Sequence, residues 1–387
     1  MRSYPSLSRG RRLAALAGAA AAAAVLSFAA PASAQESHGS PGAVFVQLNG
    51  ETGNEIAAYS RAVDGTLTYD ATYPTGGLGG TQVGAPLDAL ASQGGLVLDQ
   101  RHHLLLAVNA GSDSVTSFAV RGARLGPATT VPSGGQFPSS VAVHGDLVYV
   151  LNAGGDGSIS GFTIRHGALT PIPGSTRSLG LGGANPPVFI DSPAQVGFSA
   201  DGRTLIVTTK SHNELLTFRL DRHGRPSATP TSTASAGAVP FSFVVDRHGL
   251  VQVTEAGTGA TSTYAVSRSG ALRLLGSSAS GGGAALCWNI EVGGTLYGAN
   301  AGSATLSAWR APARHAAVLT QAVAATTGAG PIDLAASRDG RFLYVQEAVD
   351  GTLGVYAVAH DGALSRIQTV TGLPAFTTTG MEGIAAS

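Results

Sequence analysis

Lys210 is the only lysine in a chain of 387 residues, and it opens an all-polar run, Lys210-Ser211-His212-Asn213-Glu214. A lysine or histidine drawn out of water beside carboxylates can serve as acid or base near neutrality. Acids and amides recur in a suitable pattern. Glu255 and Glu347 each close a short apolar run, as do Asn109, Asn152 and Asn300. Gln195, Asp333 and Glu382 each open one. If these ends converge, Lys210 and His212 are candidates for acid/base work, with Glu255 and Glu347 orienting substrate or water. Asn109, Asn152, Gln195, Asn300 and Glu382 are then candidate ligand-binding residues. The same residues also read as turn caps, since Asn or Glu after a strand satisfies turn backbone. A ring of oxygen donors is also the kind of site that takes Ca²⁺. No metal centre and no cofactor is expected, because the sequence has no Gly-x-Ser-x-Gly elbow, His-Glu-x-x-His, clustered Cys/His set or phosphate loop.

The elements that must position these residues are short strands. Seven apolar runs end on Asn49, Asn109, Asn152, Thr209, Glu255, Asn300 and Glu347, at spacings of 60, 43, 57, 46, 45 and 47. A period in the mid-forties matches a propeller of four-stranded blades. The long intervals mark insertions near Thr75 to Leu90 and near Ser175 to Ile190. Within each unit, strand A is rich in small residues, as in Leu334-Ala335-Ala336, and strand B is apolar on both faces, as a strand between two blades must be. Turns such as Asp201-Gly202 and Arg338-Asp339-Gly340 link A to B, and Asp64-Gly65 and Asp361-Gly362 link C to D. Such pairs supply the positive φ of tight hairpins. The tail offers Ile384-Ala385-Ala386 as a strand A with no strand B after it. The strand B without an A lies at the other end, Ala43 to Asn49. An unpaired edge is a liability, so the fold class is all-β, a seven-bladed propeller closed by the C-terminal strand on the first blade.

In that architecture A–B and C–D turns share one face, and B–C and D–A loops share the other. Both insertions are D–A loops, so the loop face is the elaborated one. His102, His103, His144 and His248 fall in A–B turns, and His166, His223, His315 and His360 in or beside C–D turns, where solvated turn residues are expected. Only His212 lies on the loop face, with Lys210 and Arg177 as its clearest cations.

Residues 1–34 read as a signal peptide. Arg2, Arg9, Arg11 and Arg12 precede an apolar run from Leu13 to Ala30, and Ala32-Ser33-Ala34 is an A-x-A cleavage site. The run is also about long enough for an uncleaved anchor. Sec and twin-arginine export both remain open. Residues 35–42 are a flexible lead-in and 43–387 one domain. The expectation is a secreted, extracellular monomer, free of the membrane after cleavage. Removing residues 1–34 leaves 19 basic and 23 acidic residues, which gives no basic face for nucleic acid. The single cysteine, Cys287, excludes an intramolecular disulfide.

One repeat is shared by Ala200-Asp201-Gly202-Arg203-Thr204-Leu205-Ile206-Val207, Val108-Asn109-Ala110-Gly111-Ser112 and Gly135-Gln136-Phe137-Pro138-Ser139-Ser140-Val141-Ala142-Val143. It resembles the lactonase-type seven-bladed β-propeller family, which includes 6-phosphogluconolactonases and carboxy-muconate cyclases, and the likeness spans residues 43–387. It implies hydrolysis or closure of a lactone at the axial mouth, here of an unphosphorylated organic acid. Members of the family tend to carry Pro-Arg-His at one strand A start and Asn-Glu after the next strand B. The matching positions here are Pro193-Ala194-Gln195 and Thr209-Lys210. Another start, often Pro-His, is Pro138-Ser139. These departures keep a second reading open: a non-catalytic propeller that binds a small molecule or protein on its loop face.

Overall fold

The computed structural model describes residues 41–387 apart from Thr378. The expected signal peptide and most of the lead-in lie outside the described residues. Seven antiparallel sheets follow one another, each built in the order A-B-C-D from the axis outward. Blade 1 is the composite one. Its strands B, C and D are Gly42–Gln47, Glu55–Arg61 and Leu67–Pro74, and its strand A is Glu382–Ala386 from the tail. The pairing is antiparallel, with Val44 opposite Ala386 and Val46 opposite Ile384. The expected closure of the ring is the observed one.

Strand B is buried on both faces because successive side chains point to opposite sides. In blade 1, Val44 and Val46 pack on Tyr344, Leu353 and Val355 of blade 7, and Ala43 and Phe45 pack on Leu105, Ala107 and Phe118 of blade 2. The core is therefore a set of layers between blades. A recurring bolt reinforces it. Tyr149, Tyr297 and Tyr344 sit in strand B of blades 3, 6 and 7, and each phenol donates to a glycine carbonyl in the C–D turn of the next blade. These are Gly224 at 2.6 Å, Gly362 at 2.7 Å and Gly65 at 3.4 Å. The third bolt crosses the seam of the ring. Burial raises all three phenol pKa values, so the donors stay protonated.

Candidate active site on the propeller axis

The first insertion folds back over the axis as a strap, residues 82–95. It carries its own organiser: Asp88 Oδ1 accepts the amides of Leu90 (2.9 Å) and Ala91 (2.8 Å), and Oδ2 accepts that of Ser92 (3.1 Å). The strap is then fastened to strands all round the ring. Trp288 Nε1 donates to Ser92 O at 2.8 Å, Ser92 Oγ to Ser139 O at 2.8 Å, and Ser140 Oγ to Gln93 O at 2.7 Å. Gln93 exchanges both amide bonds with the backbone of Asn289, at 3.0 and 3.1 Å. The second insertion locks the first from outside, through Val83 N to Pro187 O (2.8 Å) and Phe189 N to Val83 O (3.0 Å).

Beneath the strap lies a buried titratable cluster. Lys210 follows strand B of blade 4 and starts a single 3₁₀ turn, Lys210–His212. Its ammonium, fully buried, donates to Ala91 O at 2.9 Å and more loosely to Gln82 Oε1 at 3.4 Å. Burial lowers its pKa to about 7, although the Asp88 charge pulls the other way. Glu382 opens the closing strand and accepts the Leu90 amide at 3.1 Å. Burial, and then the charge of Asp88, hold its carboxyl well above the usual range, while burial also raises Asp88. Asp333, at the start of a strand A in blade 7, is raised to about 7, first by burial and further by Asp88.

Below the strap runs a channel of about 420 Å³, walled by the A strands. Its loop-face end is sealed, since Leu96, Asp333 and Glu382 there are buried. At its turn-face end Leu98, Val245, Ala336 and Ala386 are only half-buried. Asp333 is the one ionisable side chain along the wall among the described residues, and Gln93 and Gln195 stand with it. The amide of Gln195 bridges to the next strand A, accepting from Phe243 N at 2.6 Å and donating to its carbonyl at 3.0 Å.

Residues 183–288 match the family described as lactonase, 7-bladed beta-propeller. The fold is a seven-bladed propeller, and within it these residues carry the match to that family. No curated protein sequence matches it. Among solved structures, the chain is similar to a protein from Lactobacillus plantarum, with 19% identity, TM-score 0.66, and coverage of 90% of this chain and 100% of that one. It is similar as well to the periplasmic gluconolactonase of Pseudomonas aeruginosa, at 18% identity and TM-score 0.66, covering 88% and 98%. At such identities the likeness establishes the shared fold.

The other candidate residues are placed differently from Lys210 and Glu382. Glu255 and Glu347 do not join Lys210, whose charged neighbours are Asp88 and Asp191. Both oxygens of Glu255 accept from Ser235 Oγ, each at 2.8 Å, and burial raises it to about 7. Glu347 is ion-paired with Arg366 and accepts from Thr352 Oγ1 (2.6 Å) and Gly328 N (2.7 Å). Asn109, Asn152 and Asn300 are fully buried and donate to hydroxyls of their own strand C, for example Asn300 to Ser307 Oγ at 2.8 Å. A glycine of the entering loop lies over each. A Cβ on Gly77, Gly135 or Gly283 would stand 2.4, 2.7 or 2.3 Å from the asparagine amide carbon. The ends of strand B are therefore capped under backbone, and do not open onto the axis. His212 is exposed, on a separate hollow of about 270 Å³ with Asp191 and Ser192. Two features escaped the sequence reading. Asp88 lies in an insertion without periodicity. His102, expected to be solvated, is held between two carboxylates, Nδ1 on Asp99 Oδ2 at 2.5 Å and Nε2 on Asp146 Oδ1 at 3.2 Å.

Proposed function

We propose that the protein hydrolyses a small uncharged lactone at the inner end of its axial channel. The observation that carries this is Asp333, the one ionisable side chain on the channel wall among the described residues, with a pKa near 7 set by its burial, in a propeller of the lactonase type. A carboxylate with such a proton affinity is suited to take a proton from an attacking water. The water oxygen bonds to the lactone carbonyl carbon, and its proton passes to Asp333. Gln93 and Gln195 each commit one Nε2 hydrogen to a backbone carbonyl, which leaves a second hydrogen for the charged carbonyl oxygen. The ring C–O bond then breaks, Asp333 returns the proton to the departing alkoxide, and a hydroxy acid results. No Lys or Arg lines the channel among the described residues, so a phosphorylated lactone finds no partner for its charge.

Assay of uncharged and phosphorylated lactones tests this reading. Asp333→Asn is expected to lower kcat/KM for the preferred uncharged lactone by about 100-fold or more. Unchanged turnover in that variant contradicts it. A second reading, a ligand-binding propeller without turnover, is favoured by the strap, which occupies the loop-face mouth and engages Lys210 and Glu382. Wild-type protein inert to every lactone would leave that reading standing. We propose export as well, and amino-terminal sequencing of protein from the culture medium should begin at Gln35.

A further inference from the structure

His102 sits at the rim of the turn-face opening. Asp99, which holds its Nδ1, directly follows Leu98 of the channel wall. Gln100 in the same turn donates to the carbonyl of Ala386, another wall residue, at 3.3 Å. Asp146, which meets Nε2, lies in the A–B turn of blade 3, just past the strand that brings Val141 and Ala142 to the wall. The ring of His102 thus spans two neighbouring turns, and its side chain is only 22% exposed.

An ionised carboxylate accepts hydrogen bonds and donates none. An imidazole with a carboxylate oxygen on each nitrogen needs a hydrogen on both, which is the imidazolium. Neutral imidazole satisfies one carboxylate and turns a lone pair toward the other. Asp99 is buried and accepts the Arg101 amide as well, at 3.0 Å, so the Nδ1 hydrogen stays with it. The contact that fails is Nε2 to Asp146, which is exposed and otherwise held only by the exposed Arg101 guanidinium at 3.4 Å. Asp99 and Arg101 from its own turn and Asp146 from the next are the charged groups that face the ring.

We propose that His102 is a proton-operated staple between blades 2 and 3 at the mouth of the axial channel, closed as imidazolium and released as imidazole. The link between the two turns at the channel mouth therefore depends on whether the ring carries its second proton. The staple does not depend on which ligand the channel takes.

A double-mutant cycle decides it. His102→Gln, Asp146→Ala and the double variant are unfolded in urea beside the wild type, at about pH 5.5 and about pH 8.5. The expected coupling at the lower pH is roughly 2- to 5-fold in the unfolding equilibrium constant, and none at the higher. Ring-nitrogen NMR of His102 should show both nitrogens protonated at the lower pH and only Nδ1 at the higher. Equal coupling at both pH values, or none at either, overturns the proposal. So does an Nε2 hydrogen that persists at the higher pH.

Discussion

At the loop-face end of the axis the A strands are covered by a strap of the chain's own, and its polar groups are bonded to backbone from blades all round the ring. At the turn-face end the same strands finish half-exposed, linked across neighbouring blades by single side chains such as Gln100 and His102. Both ends belong to the same seven strands, so composition cannot explain the contrast. Loop length does. The A–B hairpins are tight turns that cannot reach across the axis, whereas the D–A connection before blade 2 runs long enough to cross it. The buried end concentrates groups whose ionisation is displaced toward neutrality, because desolvation dominates there.

The contrast can be broken in stages. Removing residues 383–387 strikes both ends together, because the closing strand carries Gly383 under the strap and Ala386 at the opposite mouth. The expected loss is on the order of 5 kcal/mol, from a buried and paired strand. A truncated protein that melts at the wild-type temperature would refute the role of that strand. Lys210→Ala acts on one end only. It leaves Ala91 O without its donor and Asp88 without its countercharge, and should lower stability by about 3–5 kcal/mol. It should also raise amide exchange in residues 82–95 while leaving Gly145–Leu147 unchanged, and uniform exchange across both ends would show that they are not separable.

A smaller effect concerns pH. Asp333 and Glu255 ionise near 7 when folded and near 4 when unfolded, so between those values the unfolded chain binds fewer protons and stability falls as pH rises. Lys210 runs the other way: it titrates near 7 folded and 10.5 unfolded, so stability rises with pH across that window. The melting temperature is therefore expected to pass through a shallow minimum near neutrality. A melting temperature that rises steadily from pH 5 to 9 would contradict the buried states assigned to these groups.

The ring was legible in the sequence because each blade repeats local signals, such as Asp201-Gly202 and Asp339-Gly340, at a fixed spacing. The closing strand was legible because Ile384 to Ala386 and Ala43 to Asn49 are halves of one unit. The strap was legible only as extra length. Its path depends on bonds between Ser92 or Gln93 and the distant residues Ser139, Ser140, Trp288 and Asn289, and no local pattern encodes those. The expected meeting of Lys210 with Glu255 and Glu347 fails for a geometric reason. Asn or Glu at the end of strand B lies one strand farther from the axis than the start of strand A, and the incoming glycine loop covers it. Lys210 reaches the centre because the strap descends onto it. The bridging role of His102 was not legible, since Asp99 is three residues away but Asp146, its second partner, comes from another blade.

The Tyr344–Gly65 bolt has a further consequence. It joins blade 7 to blade 1 by the contact that joins blade 3 to 4 and blade 6 to 7, so the seam is held as those two junctions are. A circular permutant with 387 linked to 42 and new termini in an exposed turn, for example at Arg222-His223, should therefore assemble the same ring. Which blade counts as first is then a matter of where translation starts, and the folded object has no beginning.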